Sequence, residues 1–266
     1  MKPTEGRKRI VIEEIQPTVN HGRYPAKRIL GDTVEVTAAI FGDGHDHVAA
    51  RLHYRHASQR KWLTTNFAAL TNDLWSATFT ADKLGLWHFT IEAWIDHFDT
   101  WIHDLAKRLA AQADSAQDIP LALRIGATHL DAAASRARAI DARKLTLAAA
   151  QLRSLADQNL ALYGDPVTPE IIALVAKYPD FSFATKHNAE FPLWVDRERA
   201  RFSSWYELFP RSASPTPNQH GTLRDVAARV PEIAAMGFDV LYMPPIHPIG
   251  SAYRKGRNNS TTPEPD

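Results

Sequence analysis

Apolar and polar residues alternate through much of the first hundred positions of this chain. Val34, Val36, Ala38 and Ile40 alternate with Glu35 and Thr37, and Val48, Ala50, Leu52 and Tyr54 with Ala49, Arg51, His53 and Arg55. Trp75, Ala77 and Phe79 alternate with Ser76 and Thr78, and Trp87, Phe89, Ile91 and Ala93 with His88, Thr90 and Glu92. A period of two turns one face of a strand to a core and the other to water. Gly42-Asp43-Gly44 and Ala81-Asp82-Lys83 interrupt the pattern where turns are expected. Residues 9 to about 96 therefore read as a small immunoglobulin-like β-sandwich.

The period then lengthens. Trp101, Leu105 and Leu109 fall four apart, and Leu145, Ala148, Ala149, Leu152 and Ala156 mark one helical face. Ile171, Leu174, Val175 and Tyr178 repeat the spacing. Asp118 and Thr168 are candidate caps, with Pro120 and Pro169 in first turns. Residues 99 to about 182 read as a bundle of about four helices. Phe191-Pro192-Leu193-Trp194-Val195 is a short strand expected to rejoin the sandwich, which makes the bundle an insertion. From Arg201 the pattern is strand, helix, strand. Phe202–Ser212 and the almost wholly apolar Phe238–Met243 hold the strands, the second expected to be covered on both faces. Leu223, Val226, Val230 and Ile233 mark the helix face; Pro231 should kink or split that helix, and Gly237 ends it. A β-α-β unit belongs to a parallel sheet.

Composition narrows the chemistry. The 31 Lys and Arg against 30 Asp and Glu leave no global field for nucleic acid or an acidic membrane. The absence of cysteine removes disulfides and thiol catalysis and fits a reducing, cytoplasmic setting. No run is apolar for long enough to span a bilayer, and the first residues lack the apolar core of a secretion signal. No nucleophile elbow, zinc spacing, P-loop, dinucleotide fingerprint or carboxylate dyad is present, so no cofactor, metal or catalytic residue is assigned. Arg254, Lys255 and Arg257 flank Gly256 and precede Asn258 and Asn259. Cations and amides just beyond a buried parallel strand suit a phosphate or a polyhydroxylated sugar; the plainer alternative is a solvated basic loop. His247 reads equally as a pocket donor or a loop-fixing residue. Glu207 is a candidate buried acid, or a partner for Arg211. The sandwich tryptophans Trp62, Trp75, Trp87 and Trp94 are core or sugar platforms, with Trp94 on the opposite phase from its neighbours. His45 and His47 flank Asp46, where a turn competes with a metal site.

Trp205-Tyr206-Glu207-Leu208-Phe209-Pro210-Arg211-Ser212 and Met236 through Ile246 resemble the first two barrel strands of the α-amylase superfamily. The extension through His247-Pro248-Ile249-Gly250 to Arg254-Lys255-Gly256-Arg257-Asn258-Asn259 resembles the bacterial α-1,4-glucan:maltose-1-phosphate maltosyltransferases, as does the opening from Arg9 to Pro17 and Gly22 to Arg28. That resemblance implies a multidomain chain: a sandwich N domain over 1–98 plus 186–200, a helical-bundle insert over 99–185, and the first β-α-β portion of a (β/α)8 barrel over 201–266. It implies a retaining transfer of maltosyl from α-maltose 1-phosphate to the non-reducing end of an α-1,4-glucan, with phosphate released. Lys255 then corresponds to the family's donor-binding lysine, and Asn258 and Asn259 to neighbouring substrate contacts. Homodimerisation through the N and helical domains is also implied. The family's nucleophilic Asp and acid/base Glu belong to later strands, so this stretch alone is expected to be an inactive fragment with an exposed, aggregation-prone edge. The competing readings are a non-catalytic dimerisation or glucan-binding module and a fragment of an α-amylase-type hydrolase.

Overall fold

The computed structural model describes residues 6–111, 117–158, 167–248, 250 and 252–262; Met1 to Glu5 and Ile249, used in the reading above, lie outside this range. The chain is mixed α/β and divides into two units, 1–196 and 197–266.

The first unit opens with eight strands: β1 (Ile10–Gln16), β2 (Ala26–Ile29), β3 (Thr33–Gly42), β4 (Val48–His56), β5 (Leu63–Asn66), β6 (Ala68–Ala69), β7 (Leu74–Thr80) and β8 (Gly85–Ile95). Among the described residues four helices follow: α1 (His97–Ala111), α2 (Asp118–Arg136), α3 (Ala139–Asp157) and α4 (Pro169–Lys177). Two short strands, β9 (Thr185–Lys186) and β10 (Phe191–Asp196), return to the sheets. One sheet runs β1-β3-β7-β6 and the other β2-β10-β8-β4-β5, with β9 also on β8. The alternation in the sequence is realised. Val34, Val36 and Ile40 of one sheet share a core with Leu52, Trp87, Phe89, Ile91 and Leu193 of the other. Burying each such side chain contributes about 1.5–3 kcal/mol. The expected return strand is present: β10 pairs parallel with β2 and antiparallel with β8, so the helices lie between two strands of one sheet.

The helices have their own core. Trp101 and Leu105 of α1, Leu123 and Leu130 of α2, Leu145 and Leu152 of α3, and Ile171 and Val175 of α4 belong to it. Thr168 caps α4 by accepting from the Ile171 N–H. Asp118 does not cap: it is the first residue of α2 itself, and Gln117 holds the cap position. There its charge faces the positive end of the helix instead.

The second unit holds β11 (Trp205–Glu207), α5 (Leu223–Ala235) and β12 (Val240–Tyr242), with the strands parallel as expected. Thr222 and Asp225 form a reciprocal capping box that starts α5. Gly237, at φ +88°, takes the left-handed conformation that follows the helix end. Three expectations need correction here. The helix runs through Pro231 as one element and does not split, although Ala227 loses a partner for its carbonyl. Only Val226 and Ile233 of the expected stripe are buried; Leu223 and Val230 are about half exposed. And β12 is not covered on both faces: Val240 and Leu241 are half-buried and Tyr242 is exposed. A two-stranded sheet with a single helix has one covered face, and Tyr206, Phe238, Leu241 and Met243 gather there around Leu208, Ala213, Val226 and Ile233.

A Cβ placed on Gly126 of α2 would lie 2.0 Å from the Trp101 ring. That ring is buried and anchored by a 2.8 Å bond from Nε1 to the Ala122 carbonyl, so it has little room to yield. Gly126→Ala is therefore expected to destabilise the chain by about 1–3 kcal/mol through overpacking. This would outweigh the gain of about 1 kcal/mol in helix propensity. Denaturant unfolding checks the sign; an unchanged or higher midpoint would contradict it.

Candidate functional site

The two parallel strands of the smaller unit align Trp205 with Val240, Tyr206 with Leu241 and Glu207 with Tyr242. Their carboxyl ends therefore share one edge, and Leu208 N–H continues the pairing to the Tyr242 carbonyl at 3.1 Å. Asp239 braces the opposite end by accepting from Ser204 N–H at 3.1 Å and pairing with Arg199. The chain beyond β12 passes through Pro244, Pro245 and Pro248 and reaches a tight turn at Arg257–Asn259. Gly256 N–H donates to the Ser260 carbonyl at 2.9 Å, closing a tight loop around Asn258 and Asn259, with Lys255 just before it. Asn258 and Asn259 adopt φ of 51° and 63°, a region that asparagine tolerates better than most residues. Lys255, Asn258 and Asn259 all face solvent, and among the described residues Lys255 forms no ion pair. Arg254 is half-buried, and the side chain of Arg257 lies outside the described part. His247 and Glu207 are exposed, so Glu207 is not the buried acid considered above. Nor do Glu207 and Arg211 pair among the described residues; the Arg211 carbonyl instead accepts from Gly221 N–H at 2.9 Å.

A second polar cluster lies on the outer face of the larger unit's second sheet. The β4–β8 register sets Arg51 opposite Glu92. Arg51 Nε donates to Glu92 Oε2 at 2.8 Å, and His53 Nε2 lies 3.0 Å from the same oxygen. Both acid and imidazole are largely shielded, with side chains 15% and 11% exposed. The hydrogen bond to His53, and then Arg51, pulls the Glu92 carboxyl down from its ordinary 4.5 to about 2, against burial, which pushes it up. The Arg51 guanidinium also stacks 3.8 Å over Phe181, and Trp94 meets Phe181 edge-on. Outward-phase Trp94 is thus covered, while Trp87 is core and Trp75 is half-buried, its Nε1 donating to Ile40 O. Trp62 is half-buried under Arg55, whose guanidinium lies 4.4 Å above its ring. A cleft of about 350 Å³ adjoins this cluster, bordered by Arg51, Thr64, Asn66, Trp94, Lys177 and Phe181. The cluster was not singled out from the sequence. Its one signal there was Arg51 and His53 on the wet phase of one strand and Glu92 on the wet phase of another.

The fold is a two-sheet unit interrupted by helices and followed by a parallel strand–helix–strand unit. The family model described as α-1,4-glucan:maltose-1-phosphate maltosyltransferase, domain N/S, matches residues 8–197. The relative of that name from Chlorobaculum tepidum is 40% identical over 265 residues, covering 100% of this chain and 39% of the relative. The Methylacidiphilum infernorum maltosyltransferase is 40% identical, with 99% and 38% covered. That of Burkholderia pseudomallei is 43% identical, with 97% and 22% covered. The chain belongs to the α-1,4-glucan:maltose-1-phosphate maltosyltransferase family, and spans less than two fifths of the length of these relatives.

A carboxylate whose folded pKa is depressed stabilises above its unfolded value and loses that contribution as pH falls through the folded one. The contribution of Glu92 is thus complete above pH 4.5 and is withdrawn toward pH 2. Glu92→Gln is expected to lower stability at neutral pH by about 1–3 kcal/mol and to flatten the acid limb over that window. Urea melts at a series of pH values measure both; a variant limb parallel to the parent's would refute the assignment.

Proposed function

We propose that this chain supplies the N-terminal portion of a retaining maltosyltransferase that moves maltosyl from α-maltose 1-phosphate to the non-reducing end of an α-1,4-glucan and releases phosphate. The observation that carries the reading is the match of the whole chain to proteins named for that reaction. In this reading the paired sheets are an immunoglobulin-like N domain (1–98 plus 186–200). The helices (99–185) are an insert, and residues 201–266 begin a (β/α)8 barrel in a cytoplasmic enzyme. The solvent-facing side of β11 and β12, with Trp205 and Tyr242 exposed, is where further barrel strands would pack. Lys255 contributes a charge to the donor phosphate, and Asn258 and Asn259 hydrogen-bond the sugar. The nucleophile and acid/base are supplied by other parts of a complete enzyme.

The helices also favour homodimerisation. Leu121 and Ile125, one turn apart on α2, and Ile140 and Leu147, two turns apart on α3, are 57%, 45%, 73% and 62% exposed and so are available to a second copy.

A chimera in which this chain replaces the matching segment of the Chlorobaculum tepidum relative is expected to release phosphate from α-maltose 1-phosphate when an α-1,4-glucan is present. A folded chimera that uses maltose as well as maltose 1-phosphate would sink the transferase reading. In the same chimera Lys255→Ala is expected to weaken donor binding roughly ten- to a hundredfold through loss of a charge-assisted contact. Unchanged KM and kcat would remove Lys255 from the site. Sedimentation of the chain should show a dimer that Ile140→Glu with Leu147→Glu converts to monomer; a monomeric parent chain would contradict the proposed interface.

A further inference from the structure

The turn before β4 and the first turns of α1 bring three ligating side chains together. We propose that His47, Asp99 and His103 form a binding site for one divalent transition-metal ion of the zinc class. The proposal stands apart from the transferase reading.

One donor atom from each of the three residues lies within 4.8 Å of the others. Asp99 and His103 stand four residues apart on α1 and so share a face. His47 approaches from the facing turn, its ring centroid 4.2 Å from that of His103. His47 Nδ1 is 2.6 Å from Asp99 Oδ2, and His103 Nδ1 is 3.3 Å from Asp99 Oδ1. With zinc–ligand bonds of about 2.0–2.2 Å, neighbouring ligands of a tetrahedron stand roughly 3.3 Å apart. Asp99 Oδ1 and His103 Nδ1 are already at that spacing, while His47 meets the other oxygen of the same carboxylate. The hydrogen bond between His47 Nδ1 and Asp99 Oδ2 opens by roughly 0.7 Å as the ion takes its place. His103 Nδ1 also lies 2.9 Å from the Asp99 carbonyl, a contact the ion replaces.

The backbone carrying these groups is held in place without an ion. His47 N–H donates to Thr100 Oγ1 at 2.8 Å, and Asp96 N–H donates to the His47 carbonyl at 2.8 Å. Asp96 Oδ1 accepts from Asp99 N–H at 2.9 Å, and Arg9 ties down the turn through Asp43 and Asp46. A preformed frame lowers the ordering cost of binding. The three side chains are 32%, 44% and 51% exposed, which leaves an entry path and an open coordination position for water. Two imidazoles and one carboxylate suit zinc, whereas magnesium and calcium select oxygen donors. The bound ion would staple the sheet-borne turn to α1.

The test is titration of the chelator-stripped chain with Co²⁺, followed by Zn²⁺. One Co²⁺ per chain is expected, with the visible absorption of a low-coordinate nitrogen–oxygen site, bleached by one equivalent of Zn²⁺ and unaffected by excess Mg²⁺. His47→Ala with His103→Ala should abolish the absorption, and Asp99→Asn should weaken binding at least tenfold. His97→Ala with His129→Ala, a stacked pair between α1 and α2, should leave it intact. Circular dichroism without metal shows whether each variant folds; the single substitution His103→Gln, on an exposed helix face, carries the test if the double one does not. Absence of saturable binding near one equivalent would overturn the proposal. So would binding untouched by the His47 and His103 changes, or binding lost with His97 and His129.

Discussion

Leu193 is fully buried between Ala26 of β2 on one side and Trp87 of β8 on the other. The rest of the larger unit depends on that insertion. Without β10, β2 has no neighbour in its sheet, and Phe89 loses its 5.4 Å stacking contact with Phe191. The pairing closes a very long loop, but loop-closure entropy grows only logarithmically: each doubling of length costs about 0.6 kcal/mol. Burying Phe191, Leu193 and Val195, at about 1.5–3 kcal/mol each, exceeds that increment easily. Four helices can therefore lie between β8 and β10 without unmaking the sheet.

Both faces of the second sheet are used. The inner face is apolar and packs on β3 and its neighbours. The outer face carries Arg51, His53 and Glu92, which would be costly to shield separately. Together they form a closed set: one carboxylate, a guanidinium bonded to it and a ring nitrogen on the same oxygen. Because the charges are balanced, Phe181 and Trp94 can lie over them, and the segment after α4 gains a seat on the sheet.

The alternation of Val34 to Ile40 and Trp87 to Ala93 was enough to place the inner core, because a period of two maps directly onto a face. The α3 face from Leu145 to Ala156 was legible for the same reason at a period of 3.6. Pairings between outward residues were not. Arg51 meets Glu92 only after the β4–β8 register is set, and register depends on the whole sheet rather than on either strand. The apolar run Phe238–Met243 overstates the burial of β12, because only one face of this strand meets a helix. A capping box and the packing of Val226 and Ile233 keep α5 one element across Pro231. In the candidate loop, the residue types around Lys255 could be read as phosphate chemistry by motif. Their orientation could not, because a short loop of cations and amides has no period.

Ala93 of β8 pairs with Thr185 of β9, and Glu92 with Lys186. Topologically, β8 and β9 are the two arms of a single hairpin whose connection carries the helices α1 to α4. The distance across that opening is one strand spacing, about 4.8 Å. A turn of a few residues could span it, and so could a much larger domain. Evolution, or an engineer, can lengthen, shorten or exchange the cargo at this port while the sheet that carries it keeps its register.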